Sequence, residues 1–314
     1  MFKHYSDGDG TLVNPISSIQ AQSISGLMTI TYVGLIYLIP GARSNPRKLD
    51  KFGRRLDRFH PKIIRYRLLA VTIGTILNLI GIGYLIRTSH RPSQLSSSWN
   101  SLSMRTLRFV GFTVPSQPKI FIKKLVEPLI LTMILFSGPI YTDLILPITT
   151  TGIRKIDIKY QNNQKIEKEN FMDLIFMKVD IYVMRNLVFG PFLEEVVFRG
   201  CFISLNFLID PIERSSNSRI IFLCPLWFGL AHVHSFWESY QNQKISNSSN
   251  ALLITIIQTC FQFGYTTVFG WYASFIYLRT GSIIATAMCH SFCNYMGFPG
   301  ILGALKKFPD HRNS

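Results

Sequence analysis

Ionisable side chains inside long apolar runs constrain this chain more than any other feature. A run of roughly 20 mainly apolar residues has the length of a membrane-spanning helix. Seven segments have that character: residues 23–40, 68–86, 127–147, 179–209, 220–237, 251–278 and 282–298. Three of them carry Glu, Arg or His in their interior. Each such group costs on the order of several kcal/mol in hydrocarbon, so it faces a partner or a cavity rather than lipid. Only 16% of the residues are charged, against about 25% in soluble domains. Lys and Arg (33) outnumber Asp and Glu (17) for a net charge of +16, yet the basic residues sit between the apolar runs. That pattern speaks against a nucleic-acid binder and for a multi-pass membrane protein. The five cysteines (Cys201, Cys224, Cys260, Cys289 and Cys293) are odd in number and lie in apolar stretches. This argues against a disulfide framework and against paired metal-binding CxxC motifs.

The expected fold is all-α and polytopic, with about seven to eight transmembrane or re-entrant helices enclosing an intramembrane cavity. Residues 1–22 read as a polar N-terminal tail and 23–126 as membrane helices joined by basic loops. Residues 127–300 read as the principal membrane unit and 301–314 as a short polar tail. The first run lacks a positive N-terminal flank, so it reads as an uncleaved span. Residues 43–67 hold ten Lys and Arg against only Asp50 and Asp57, which reads as a solvated loop and, more sharply, as a cytosolic one touching anionic lipid. The short apolar piece Leu107–Val114 is expected along the membrane interface. The run 251–278 is long enough to be tilted or broken near Gly264 or Gly270. Loop charge favours a luminal N-terminus and a cytosolic C-terminus. The sequon at Asn247 then faces the cytosol and is expected to carry no glycan.

Three motifs gather the intramembrane ionisable groups. In GPFLEEVVFRG (Gly190–Gly200), Glu195 and Arg199 are four apart and share a helix face, so an ion pair neutralises both. Glu194 points about 100° away, toward the side of Phe198, with no sequence-local partner. The pair therefore reads as one structural and one working carboxylate. In LWFGLAHVHSFWE (Leu226–Glu238), Phe228 and His232 share a face, whereas His234 lies about 200° from His232 on a regular helix. In MCHSFCNYMGFPG (Met288–Gly300), His290 and Asn294 project side by side. Two donors on one face can hold a developing oxyanion.

Taken in order, EExxxR, FxxxH and HxxxN on successive apolar segments resemble the CAAX protease and bacteriocin-processing family. Within it they resemble the eukaryotic type II CAAX prenyl endopeptidases of the endoplasmic reticulum. The strings MRNLVFGPFLEE, FGLAHVHSFWE and CHSFCNYMGFPG carry the likeness, which covers roughly Glu127 to Gly300. It implies that residues 127–300 are the catalytic domain and that Glu194 with His232 activates a water. It further implies that Glu195, Arg199 and Phe228 support the site, and that His290 and Asn294 stabilise the oxyanion. The implied reaction releases the last three residues of farnesylated or geranylgeranylated CaaX proteins such as small GTPases. The implied site is a multi-pass enzyme in the endoplasmic-reticulum membrane, open to the cytosol, with no metal or other cofactor. Alternatives are a zinc protease using His232, His290 and Glu194, although no HExxH is present, and a thiol protease using Cys293. From another class, a non-catalytic membrane scaffold or transporter would also bury such groups.

Overall fold

A capping box starts the first helix. The Ser17 hydroxyl accepts from the Gln20 amide, and the Gln20 side chain accepts from the Ser17 amide. Helix α1 (Ser18–Leu38) thereby begins five residues ahead of the apolar run. A computed structural model describes residues 12–90, 99–113, 117–141, 180–213, 216–246 and 248–297. Asn247 and the 301–314 tail lie outside these, as do residues 142–179.

After α1 the chain forms a small antiparallel ribbon, β1 (Asn45–Leu49) with β2 (Arg55–Leu56), the one sheet among the described residues. Asp50 closes its turn. The carboxylate accepts from the Phe52 and Arg54 amides at 2.8 and 2.9 Å and from the Arg54 Nε at 2.8 Å. Helix α2 (Pro61–Ser89) starts with proline in its first turn, where the missing N–H costs nothing. Then follow α3 (Trp99–Phe109), α4 (Pro118–Leu135) and α5 (181–207), an α-helix interrupted by two wider π turns. The chain ends in α6 (Asn217–His232), α7 (Phe236–Ile245), α8 (Ala251–Thr280) and α9 (Ile283–Met296). Among the described residues, four helices are long and apolar enough to cross a membrane: Ser18–Leu38, Pro61–Ser89, Ser218–Ile245 and Ala251–Thr280.

Helix α5 lies in the middle, with α1, α2, α6, α8 and α9 packed around it. Its residues Val196 to Phe202 are buried throughout. Phe198 meets Tyr32 of α1, Phe228 of α6 and its own neighbour Phe202 edge to face at 5.5, 5.1 and 5.2 Å. Such contacts add to the burial of the rings themselves.

Three segments add detail to the sequence reading. Residues 107–113 pack against the bundle: Val110 is fully buried, and the segment lies beside α5, α8 and α9. Its carbonyls are satisfied from within, Phe109 O by the Ser204 hydroxyl at 2.8 Å and Gly111 O by the Ile283 amide at 3.1 Å. Gly111 has φ +95°, and a side chain there would strike the ring of Tyr277. Residues 127–135 of the third run belong to α4, which already starts at Pro118 and ends at Leu135. The sixth run is one unbroken helix of 30 residues. Its Gly270 serves close packing instead, since a Cβ there would come within 2.5 Å of the Pro225 ring.

Candidate active site

Pro191 has no N–H and its ring crowds the preceding turn, so a regular α-helix cannot run through it without loss. The chain widens into a π turn over Arg185–Phe189 just before it, and again over Val196–Cys201. The α-helical turn Gly190–Glu195 between them presents both glutamates. Single π turns inside helices often mark functional positions.

The two neighbours have different surroundings. Glu195 is wholly buried, and its Oε1 receives Arg199 Nη1 at 2.9 Å and His290 Nδ1 at 2.7 Å. Its Oε2 is buried with no hydrogen-bond partner. The Arg199 guanidinium also lies over the face of Phe228, 4.4 Å from the ring centroid, and within 5.5 Å of that of Phe269. Cation–π attraction thus replaces part of its lost hydration. Glu194 keeps a quarter of its side chain exposed, with Oε2 at 3.8 Å from His290 Nε2. His290 therefore stands between the carboxylates, Nδ1 on the buried one and Nε2 toward the accessible one.

Phe228 brings the third histidine in. Its ring lies edge-on to His232 at 4.7 Å and to His290 at 6.2 Å. His232 Nδ1 donates to the Phe228 carbonyl at 2.8 Å. A carbonyl only accepts, so Nδ1 carries the proton and Nε2 of the neutral ring is an acceptor. Helix α6 does not continue regularly past His232, because a 3₁₀ turn spans Val233–Ser235. The regular-helix premise behind the His232 and His234 comparison therefore fails, yet the rings do meet different partners. His234 Nδ1 donates to the Ala231 carbonyl, and its ring faces Tyr37 edge-on at 6.2 Å.

Asn294 lies one turn beyond His290 on α9. Its Nδ2 donates to the Asn186 carbonyl at 3.0 Å, and Arg185 Nε donates to the Asn186 side chain at 2.9 Å. So α5 contributes twice, through the glutamates and through Arg185 and Asn186. Among the described residues, no three of His, Cys, Asp and Glu gather in metal-ligand geometry.

Sequence reasoning found the Glu195–Arg199 pair but not the His290–Glu195 bond, which joins residues 95 apart. It also passed over Tyr32, which lies within electrostatic range of both glutamates. Nothing in the pattern of α1 marks that position. Asn186 did have a signal: it sits beside Arg185, a charge in an apolar run.

A family model described as type II CAAX prenyl endopeptidase Rce1-like matches residues 178–296, the stretch that supplies every residue of this site. The chain is 31% identical over 280 residues to the CAAX prenyl protease 2 of Homo sapiens, covering 89% of this chain and 71% of that protein. It is 29% identical over 285 residues to the probable CAAX prenyl protease 2 of Schizosaccharomyces pombe, covering 90% and 82%. The corresponding protein of Arabidopsis thaliana is 33% identical over 186 residues, covering 55% and 53%. No solved structure matches the chain. With its apolar spanning helices and this extent of likeness, the chain is a multi-pass membrane protein that belongs to the Rce1-like family of type II CAAX prenyl endopeptidases.

Proposed function

We propose that the chain cleaves prenylated CaaX proteins after the modified cysteine, using a water activated by Glu194 and His232. The observation that carries this reading is the unequal environment of the adjacent carboxylates. Glu195 is committed to Arg199 and His290, whereas Glu194 is accessible, with His290 Nε2 as its one ion-pair contact among the described residues. A carboxylate with a free oxygen beside an open face is suited to take a proton from water.

In the proposed sequence, His232 Nε2 accepts one hydrogen of the water and orients it, while Glu194 accepts the other. The hydroxide oxygen attacks the scissile carbonyl carbon. Negative charge then moves onto the carbonyl oxygen, which His290 Nε2–H and Asn294 hold. His290 does so with protons on both ring nitrogens, its Nδ1–H directed to Glu195. Before proton transfer the Arg199 and imidazolium charges balance the two carboxylates, and after it the oxyanion carries the negative charge that Glu194 has lost. A carboxamide has two N–H donors. The one on the Asn186 carbonyl fixes the side chain, and the second serves the oxyanion. Collapse of the intermediate breaks the peptide bond, and the proton held by Glu194 passes to the leaving amine. The products are a prenyl-cysteine carboxylate and an aaX tripeptide.

Residues 127–300 form the catalytic unit in this reading, and α1 with α2 are its frame. Moving a prenyl chain from bilayer to protein is nearly neutral, since either environment gives about 0.8 kcal/mol per buried CH₂. The lipid therefore delivers the substrate, and peptide contacts select it. Small GTPases are the expected proteins, farnesyl and geranylgeranyl the expected groups. In this reading the positive-inside rule favours a cytosolic side for the basic ribbon, with a membrane of the endoplasmic reticulum as the expected location. The test is incubation of purified protein in detergent with a farnesylated CaaX peptide. Release of a tripeptide is expected; a folded protein that releases none contradicts the reading.

A further inference from the structure

Arginines from two separate elements meet one stretch of helix away from Glu194. Arg185, in the first π turn of α5, lies within electrostatic range of Arg58 and Arg67, with Glu238 as the acid that also reaches it. Glu238 is already committed. Its Oε2 pairs with Arg67 at 3.0 Å and its Oε1 accepts the Arg58 amide at 3.1 Å. Among the described residues, neither Arg58 nor Arg185 forms an ion pair. Arg58 Nε is buried with no hydrogen-bond partner, a state that native guanidinium donors rarely keep. Both guanidiniums lie on the ring of Phe59, 5.0 and 5.9 Å from its centroid, and Arg185 Nη1 donates to the Arg58 carbonyl at 3.0 Å. Like charges held this close with an idle donor are organised for an anion.

This cluster connects to the catalytic groups. Arg185 holds Asn186, whose carbonyl holds Asn294. Tyr265 lies within electrostatic range of both Glu194 and Arg58. Arg185 stands nine residues before Glu194, about 13 Å along a helix at roughly 1.5 Å per residue. Three extended residues cover about 10 Å, and an arginine side chain spans the difference. We infer that Arg58 and Arg185 bind the free α-carboxylate of the substrate peptide. They thereby set the cut three residues from the chain end, an inference that rests on the protease reading above. Arginine suits the task because its planar fork pairs both carboxylate oxygens.

The test compares a farnesylated CaaX peptide as free acid and as C-terminal amide, in micelles with and without phosphatidylserine. Wild type is expected to prefer the acid by about 10- to 100-fold in kcat/KM, the range of a charge-assisted hydrogen bond. Arg58→Gln and Arg185→Gln should collapse that ratio toward one, and Arg58→Lys should restore part of it. Arg58→Gln is the safer variant, because Arg185 also ties down the Arg58 carbonyl and the Asn186 side chain. A wild type that cleaves acid and amide alike, or variants that keep the preference, overturn the assignment alone. A wild type that cleaves neither peptide overturns the protease reading and this inference with it. Variants that differ from wild type only when phosphatidylserine is present give the arginines to a lipid headgroup and also overturn it.

Discussion

Among the described residues, a carboxylate, an arginine and a histidine meet at two places. In the ribbon, Asp50 pairs with Arg54 four residues on, at 2.8 Å, and with His60 at 3.1 Å. In the bundle, Glu195 pairs with Arg199 four residues on, at 2.9 Å, and with His290 at 2.7 Å. What differs is the surrounding medium: the Arg54 side chain is 56% exposed and that of Arg199 only 1%. At the ribbon the Arg54 guanidinium has water as an alternative partner, although Asp50 and His60 are largely covered. In the bundle there is no alternative partner, so the triad fixes the position of His290 and thereby what can stand beside Glu194. Burial turns a local turn-closing device into the support of a site.

The largest expected effect follows from that difference. Arg199→Met leaves Glu195 buried with one partner fewer and should cost about 3–5 kcal/mol, as for other broken buried pairs. Arg54→Met at the ribbon should leave the unfolding temperature unchanged, since exposed pairs contribute little. Thermal unfolding of both variants in one detergent checks this. Equal losses would mean that burial does not separate the triads.

Next in size is Asn294→Ala, which sharpens the view that α9 supplies catalysis as well as packing. Loss of one oxyanion donor typically lowers the rate by about 10²–10³-fold. Single-turnover cleavage should show that loss in the chemical step with little change in substrate affinity. A change confined to affinity would remove Asn294 from the oxyanion role. The smallest effect belongs to Asp50. Partial burial acts to raise its pKa, but the Arg54 and Phe52 amides together with the His60 and Arg54 side chains hold the carboxyl well below the usual carboxylate range. Because the folded value lies below an unfolded value near 3.9, its contribution is present above about pH 4 and is lost as pH falls through the folded value. Protection of the Phe52 and Arg54 amides against hydrogen exchange, corrected for intrinsic rates, should therefore fall with acidification in wild type. In Asp50→Asn that protection should be low and independent of pH. A pH-independent wild type would show that the turn does not rely on this carboxylate.

Local rules read part of this site directly. Four-residue spacing revealed the Glu195–Arg199 pair, and it survives even though a π turn intervenes, because the guanidinium is long enough to absorb the extra twist. Apolar length located the helices, since spanning a bilayer demands it. The bonds His290–Glu195 and Asn294–Asn186 were not legible, because each joins segments about a hundred residues apart and depends on how α5 and α9 cross. How residues 107–113 pack was not legible either, because a short apolar piece has the same composition whether it lies along an interface or packs into a bundle. The difference lies in distant donors, Ser204 and Ile283, that satisfy its carbonyls. The ribbon was hidden by its charge, because a stretch so rich in Lys and Arg reads as solvated loop until Asp50 is seen to fold it.

The central claim is that adjacent glutamates divide the labour, Glu194 for chemistry and Glu195 for architecture. Single-turnover cleavage of a farnesylated CaaX peptide, run beside thermal unfolding on Glu194→Gln and Glu195→Gln, tests it most directly. Glu194→Gln should lower the chemical rate by about 10²–10⁴-fold, the range for a lost general base, with an unfolding temperature close to wild type. Glu195→Gln should show the larger loss of stability and the smaller loss of rate. Near-normal turnover in Glu194→Gln, or the opposite ranking of the two variants, would contradict the account.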